Sequence, residues 1–260
     1  MKFFGDYHTH TIYSRKWYMP MYHAKGTIEE NILQAKKLGL KELAISDHGF
    51  NHKYFGCSRR NLKSTKEEIS RLAQKHNIKV YFGVESNFIS QDGTLDIIPS
   101  DLDHLDILLC GFHRSARAKN IKDFFSIFFA NMLAKFFGAS EKLKQKNTQM
   151  VLNALEKNKI DILTHLNSKM KCDVVAIAKK AAEKGTLIEL NEKHCDFTKE
   201  EVEEMLKTGV NFIVDSDAHK PEKIGKFSTV EKIIKEYNIP HEKIANLNKT
   251  PKFINSVERK

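Results

Sequence analysis

Two histidines separated by a single residue, His8 and His10, stand in the stretch GDYHTHTIYS near the start of the chain. In an extended strand alternate side chains share a face, so both imidazoles project together while Tyr7 and Thr9 point the other way. Two imidazoles on one face can chelate a metal ion, but a lone His-x-His pair is a weak signal and needs partners elsewhere. Such residues recur. Asp47 and His48 close the run ELAISDH, Glu85 falls at the end of KVYFGVES, His113 ends LDILLCGFH, His165 stands in DILTHLN, and Asp217 and His219 end NFIVDSDAH. A histidine at one strand end is ordinarily a hydrogen-bonded structural residue. His, Asp or Glu at six of seven candidate strand ends is harder to obtain from packing. Burying so many polar groups together is costly unless something pairs with them, and a cluster of divalent cations does so.

The elements that must position these residues show as a rhythm. Short runs of β-branched, aromatic and aliphatic residues (KFFGDYH, ELAISDH, KVYFGVES, LDILLCGFH, DILTHLN, TLIELNE, NFIVDSDAH) alternate with segments of helical periodicity. In TIEENILQAKKLGL, residues Ile28, Ile32, Leu33, Ala35 and Leu38 lie along one helical face and Gly39 is the expected stop. STKEEISRLAQKHN is expected to open its helix with a Ser/Thr-x-x-Glu capping pattern. The alternation predicts a parallel α/β architecture. Ligand-type residues at the ends of nearly every strand favour a closed or nearly closed barrel over a doubly wound sheet, in which ligands gather at one switch point.

Composition narrows the class. A chain of 260 residues can hold one large core or two small domains, and no Pro-, Gly- or Ser-rich linker divides it, so a single domain over residues 1–260 is the simpler expectation. The opening MKFFGDYHTH turns polar too soon for a secretory signal. The run FFSIFFANMLAKFFG, from Phe124 to Gly138, is broken by Asn131 and Lys135 and falls short of a membrane span. Four cysteines without a CxxC pair suit a reducing cytoplasm. The net charge of +10 raises a nucleic-acid partner, but the lysines are spread over nearly every expected helix, and no segment interleaves basic with aromatic residues as a recognisable module. A solvated lysine-rich surface is the expected reading, with nucleic acid not favoured.

HTHT, ISDH, GVESN, GFH, TH and DSDAH, in this order and on these strands, resemble the PHP (polymerase and histidinol phosphatase) superfamily, particularly its stand-alone metal-dependent phosphoesterases. The resemblance covers roughly residues 6 to 220 and the C-terminal helix. It implies a distorted (β/α)7 barrel, TIM-barrel-like, holding three divalent metal ions at the C-terminal ends of the strands. It implies one metal on His8, His10, Glu85 and Asp217, a second on Glu85, His113 and His165, and a third on His23, His48 and His219, with Glu85 bridging the first two. His23 enters through HAKGTIEENILQAKKLGL, similar to the family's His-containing entry to the first helix. His52, His76, His104, His194 and His241 match no motif position and are expected at the surface or in loops, with His194 a candidate substrate contact.

Imidazole and carboxylate ligands without thiolate suit Zn2+, Mn2+ or Fe2+. The implied reaction is hydrolysis of a small phosphomonoester, of the histidinol, sugar or nucleotide phosphate kind, by a metal-bridging hydroxide. Glu85 and Asp217 count as catalytic as well as ligating. Asp47, beside His48, is a candidate to orient a ligating imidazole. Arg15, Lys16, Arg114 and Arg117 follow ligand motifs and are candidates to meet the phosphate or the leaving group, with Arg114 the candidate catalytic residue among them. The alternatives are a nucleic-acid phosphodiesterase or exonuclease, which requires a basic track leading to the metals, and an inactive barrel used for binding. Two departures from relatives stand out: Leu166-Asn167 follows His165 where relatives often carry Pro-Gly, and the Phe-rich segment 115–146 looks like a helical insertion. That segment is expected to be a helix packed on the barrel, a lid, an oligomer contact or a membrane-surface contact.

Overall fold

In the computed structural model, which describes residues 1–257, seven parallel strands are hydrogen-bonded in chain order. They are β1 (Gly5–Asp6), β2 (Glu42–His48), β3 (Lys79–Asn87), β4 (Ile107–Gly111), β5 (Ile162–Leu163), β6 (Leu187–Asn191) and β7 (Phe212–Asp215). Helices follow the strands: α1 (Ile28–Lys37), α2 (Leu62–His76), the short α3 (Pro99–Leu102) and α4 (Ile121–Asp123), α5 (Ala130–Phe137), α6 (Glu141–Lys157), α7 (Val174–Lys184), α8 (Lys199–Lys207), α9 (Ser228–Glu236) and α10 (Ile254–Val257). This is the nearly closed parallel barrel that the strand pattern anticipates and the distorted (β/α)7, TIM-like barrel that the resemblance implies. No helix among the described residues is long and apolar enough to cross a membrane.

Side-chain alternation divides each strand between two environments. Tyr7, Ala44, Tyr81, Ile107, Leu109, Ile162 and Ile213 fill the barrel, and Phe253 plugs it from below, its ring 5.0 Å from Tyr7 and 5.2 Å from Tyr81. The opposite faces, such as Leu43, Ile45, Phe82 and Val84, pack against the helices. Moving up the interior face of β3, Tyr81 gives way to Gly83, Glu85 and Asn87, so the filling changes from apolar to polar along one period-two row.

The first and last strands are joined by side chains more than by a ladder. Tyr7 N donates to Asp215 Oδ1 at 2.6 Å, and Ser216 N donates to Asp6 Oδ1 at 3.1 Å. Below them, Asn246 accepts from Val214 N at 3.1 Å and donates to Gly5 O at 3.0 Å and Val214 O at 2.7 Å. One bridge, Thr9 with Ala218, completes the seam at the top.

Two helix expectations need correction. In α1 the Thr27–Glu30 capping box and the stop at Gly39, which has φ +72°, frame the helix, but the buried face is Ile28, Asn31, Ile32 and Ala35. Leu33 and Leu38 are nearly half exposed. α2 starts at Leu62, ahead of the expected Ser/Thr cap, because Leu62 is buried and its packing extends the helix toward the turn at Arg59–Asn61. Ser64 Oγ donates to Asn61 O at 3.0 Å inside the first turn.

Between β4 and α6, the Phe-rich segment runs through α4, a π-helical stretch (Phe124–Phe129) and α5. Ile127 and Phe128 are buried in the outer core, and reciprocal amide bonds of 3.0 Å between Asn131 and Asn147 fasten α5 to α6. Phe136 and Phe137 remain largely exposed.

Candidate metal centre

Register places the ligand-type residues. Parallel pairing sets His48 of β2 directly beside Glu85 of β3, and His48 Nδ1 lies 2.8 Å from Glu85 Oε2. His113, just beyond β4, approaches the same oxygen with Nε2 at 3.4 Å. His165, beyond β5, reaches Glu85 Oε1 with Nε2 at 2.8 Å. Gly111 leaves room for this approach, since a Cβ there would come within 2.7 Å of His165 Cε1. From beyond β1, His8 Nε2 lies 3.3 Å from Glu85 Oε2 and 3.1 Å from His10 Nε2. His10 Nε2 is 3.3 Å from Asp217 Oδ1. His219 lies across from His10, with ring centroids 4.4 Å apart. His23 sits at the rim, stacked on Phe55 at 4.4 Å and 4.2 Å from the His219 ring.

Three overlapping triads of donor atoms emerge, each within 4.8 Å: His8, His10 and Asp217; His48, Glu85 and His113; and His10, His48 and His219. His165 joins through Glu85, whereas His23 borders the third triad without entering it. Among the described residues, the buried Nδ1 of His10 and the Nε2 atoms of His48 and His219 have no hydrogen-bond partner. Buried nitrogen lone pairs of this kind, converging with two carboxylates, fit divalent ions bound through nitrogen and oxygen.

Backbone conformation is tailored at the same positions. His165, Asn167 and Asp217 take positive φ values of 31°, 69° and 50°. His165 and Asn167 turn the chain just after β5, which is two residues long where the run DILTHLN suggests a longer strand. Asn is among the residues that tolerate this conformation, so Asn167 makes the turn without a glycine. Its Oδ1 also accepts from Cys172 N at 3.3 Å.

Electrostatics follow from the crowding. Burial would push the Glu85 carboxyl up, but the charges of His113 and His8, with hydrogen bonds from His165 and His48, hold it well below its usual range. Asp217 is held down likewise against burial, by His8 and His10. Burial opposes a charge on His8, yet Glu85, Glu189 and Asp217 raise its pKa well above the ordinary value. Burial, reinforced by the charges of neighbouring His48 and His219, keeps His10 low.

The remaining candidates have distinct places. Asp47 accepts from Thr11 N and Thr11 Oγ1, both at 2.6 Å, and its Oδ1 is 3.9 Å from His10 Nδ1. It therefore clamps the turn after His10 rather than bonding the ring of His48. Burial pushes its carboxyl up to about 6. Arg114 is exposed at the rim of a cleft of about 500 Å³ over the cluster, and donates to Lys169 O at 3.2 Å. His194 lines the same cleft. Of the histidines expected at the surface or in loops, His52 is buried and stacks on His48 at 4.8 Å, because its loop folds back over the site.

Other functional groups were not among the candidates read from the sequence. Glu189 Oε1 lies 2.7 Å from His8 Nδ1, and Glu189 Oε2 accepts from His165 N at 2.6 Å. Asn87 Oδ1 is 2.9 Å from His113 Nδ1. These contacts occupy the outer ring nitrogens and aim the other pair at the cluster. Lys193 Nζ donates to Asp217 O and approaches His219 Nδ1 at 2.9 Å. A charged residue inside the apolar strand run TLIELNE was the available signal for Glu189.

The stretch that carries these residues also matches known proteins. A model of the PHP domain matches residues 6–239. A "probable phosphatase" of Acetivibrio thermocellus is 29% identical over 100% of this chain and 97% of its own length. Another, from Clostridium acetobutylicum, is 30% identical over 95% and 91%, respectively. Histidinol phosphate phosphatase from Lactococcus lactis, solved with zinc, L-histidinol and phosphate, shares the fold at a TM-score of 0.59 and 14% identity, covering 91% of this chain and 94% of its own. With a family match over residues 6–239, which hold every ligand motif, the chain belongs to the PHP-domain family.

Proposed function

We propose that the protein is a metal-dependent phosphoric-ester hydrolase that takes small phosphomonoesters. The observation that carries this reading is the convergence of His8, His10, His48, Glu85, His113, His165, Asp217 and His219 on one cleft, with unpartnered buried nitrogens among them. We assign three ions, one on His8, His10, Glu85 and Asp217, one on Glu85, His113 and His165, and one on His23, His48 and His219; the donor triads support the groupings of His8, His10 and Asp217, of Glu85 with His113, and of His48 with His219. When bound, Zn2+, Mn2+ or Fe2+ would supply an acidified water as nucleophile and positive charge for the phosphoryl oxygens. Glu85 presents two oxygens to different parts of the cluster and so holds its halves together. Lys169, Lys193 and Arg114 line the mouth and attract the phosphate dianion. The chain is read as one domain of residues 1–260 carrying the 115–146 segment as an insertion.

Elemental analysis of protein purified without chelator, paired with hydrolysis of p-nitrophenyl phosphate, tests the reading. Close to three metals per chain and measurable turnover are expected. His113→Ala and Asp217→Ala should each lower turnover by about a hundredfold or more with the circular dichroism spectrum unchanged. Near wild-type turnover by either variant after metal repletion, or a folded protein that takes up no metal, would overturn it.

A further inference from the structure

We propose that the Phe-rich segment between β4 and α6 is a docking surface for an anionic lipid bilayer, which it enters with a ridge of phenylalanines set between basic borders. The proposal stands apart from the phosphoesterase reading, since it needs neither metal nor turnover.

The segment has an inner and an outer face, as an amphipathic helix does. Ile127, Phe128 and Asn131 are buried, the first two in the outer core and the third bonded to Asn147 of α6. The other large apolar side chains between Ile121 and Phe137, eight of them, are exposed, with Phe136 at 73% and Phe137 at 85%. They adjoin one another: the Phe125 ring lies 5.3 Å from that of Phe124 and 5.7 Å from that of Phe129. Single exposed apolar side chains are ordinary, whereas a contiguous patch marks a contact surface. The amide bonds between Asn131 and Asn147 hold this ridge in place on α6.

The borders are basic. Residues 115–146 include seven Lys or Arg against two acidic residues, and neither acid is free. Asp123 is buried and accepts from Gln91 N at 2.9 Å and Asn120 Nδ2 at 2.7 Å, while Glu141 accepts from Lys144 Nζ at 2.8 Å. Lys119 is held by Asp92 at 3.1 Å. Among the described residues, no carboxylate pairs with Lys122, Lys135, Lys142 or Lys146. At one end of the ridge, Arg117 lines a cleft of about 490 Å³ together with Ile121 and Phe124. Arg117 also lines a wider cleft of about 830 Å³ with Arg15, Lys16, Arg60 and Trp17, so the basic border continues past the segment. At the other end, Lys142 and Lys146 share a groove of about 460 Å³ with Phe125, Leu133, Phe137 and Leu143.

Apolar rings beside unpaired ammonium groups match the boundary between acyl chains and anionic headgroups. There the rings leave water, and the lysines extend back to the phosphates. A second copy of the chain fits less well, because pairing the ridge with itself sets two borders of like charge against each other. A neutral apolar partner would leave the lysines without a role. No helix among the described residues is long and apolar enough to cross a bilayer, so the ridge lies in the interface instead of spanning it. Of the roles open to this segment from its sequence, the membrane-surface contact is the one that uses both the rings and the charge.

Flotation of the full chain with vesicles of phosphatidylcholine alone, or of phosphatidylcholine mixed with phosphatidylglycerol, gives a partition coefficient for each surface. Binding at least about tenfold tighter to the anionic vesicles is expected. Phe136→Ser with Phe137→Ser should weaken it about tenfold or more. Lys142→Gln with Lys146→Gln should weaken it about 25-fold, near fivefold for each charge removed. Lys36→Gln with Lys37→Gln, at the end of α1 and three strands away around the barrel, should change it less than about twofold. All six side chains are exposed, so the circular dichroism spectra should match that of the parent chain. Failure to bind either kind of vesicle would overturn the proposal. So would anionic binding that falls as much with Lys36 and Lys37 as with Lys142 and Lys146 and ignores the phenylalanines, because net charge alone would then account for it. A dimer in sedimentation analysis that the phenylalanine changes dissociate, without vesicle binding, would overturn the lipid assignment and give the ridge to a second copy. Each outcome is read without metal or substrate and leaves the phosphoesterase to its own test.

Discussion

Glu85 shows what one residue contributes when several strands converge on it. Its two oxygens meet His8, His48, His113 and His165, and the histidines outweigh the desolvation of a fully buried carboxylate. Glu189 acts at one remove, fixing His8 through Nδ1 and His165 through its backbone. Glu189→Gln keeps the shape but weakens the acceptor, so metal affinity should fall about 10- to 100-fold while the fold persists. Chelator competition reads this, and an unchanged affinity would show that His8 is oriented by other means. Apart from His23, the motif histidines could be read from the chain because each is adjacent to a recognisable strand end. The roles of Glu189 and His52, and that of Asn87 although it stands in GVESN, could not, because they depend on partners 181, 63 and 26 residues away, respectively.

At the scale of elements, the strand-and-helix alternation was readable because hydrophobic period is a local property. The seam between β1 and β7 was not. It joins chain segments far apart in sequence through Asp6, Asp215 and Asn246, polar residues with no distinguishing periodicity. Asn246→Ala would strand Val214 N and two carbonyls in a buried seam, at a cost of about 3 kcal/mol. Denaturant unfolding measures that cost, and a loss below about 1 kcal/mol would place barrel closure elsewhere. The start of α2 carries a related lesson: a plausible cap at Ser64 lost to the burial of Leu62, because packing outweighs a surface hydrogen bond.

For the whole molecule, the collected histidines set the response to acid. Burial first, then the charge of His48, lowers His52 to about 2 and His23 to about 4. Burial and Lys193 lower His219 to about 3, against the pull of Asp217. Each stays neutral when folded and takes a proton when unfolded below about pH 6.5, so its stabilising contribution is complete above that pH and declines as pH falls toward the folded value. His8 has the opposite sign, its contribution being full below about pH 6.5 and lost as pH rises through its elevated folded value. In chelated protein, His52 alone accounts for a loss of about 2 kcal/mol between pH 6.5 and 5. His52→Gln should flatten that slope by about 1.4 kcal/mol per pH unit, read by urea unfolding across the range. An identical slope in the variant would mean that His52 is protonated when folded.

By itself, the sequence determined the alternation of strands and helices, the polar ends of those strands and the ordered ligand motifs, because each lies within a few consecutive residues. Tertiary structure decided which oxygen of Glu85 meets which imidazole, where the barrel closes, and how Arg60 and Arg117 come to share a cleft with Trp17. Those outcomes depend on strand register and loop apposition, which bring together groups whose separation along the chain carries no record of their contact.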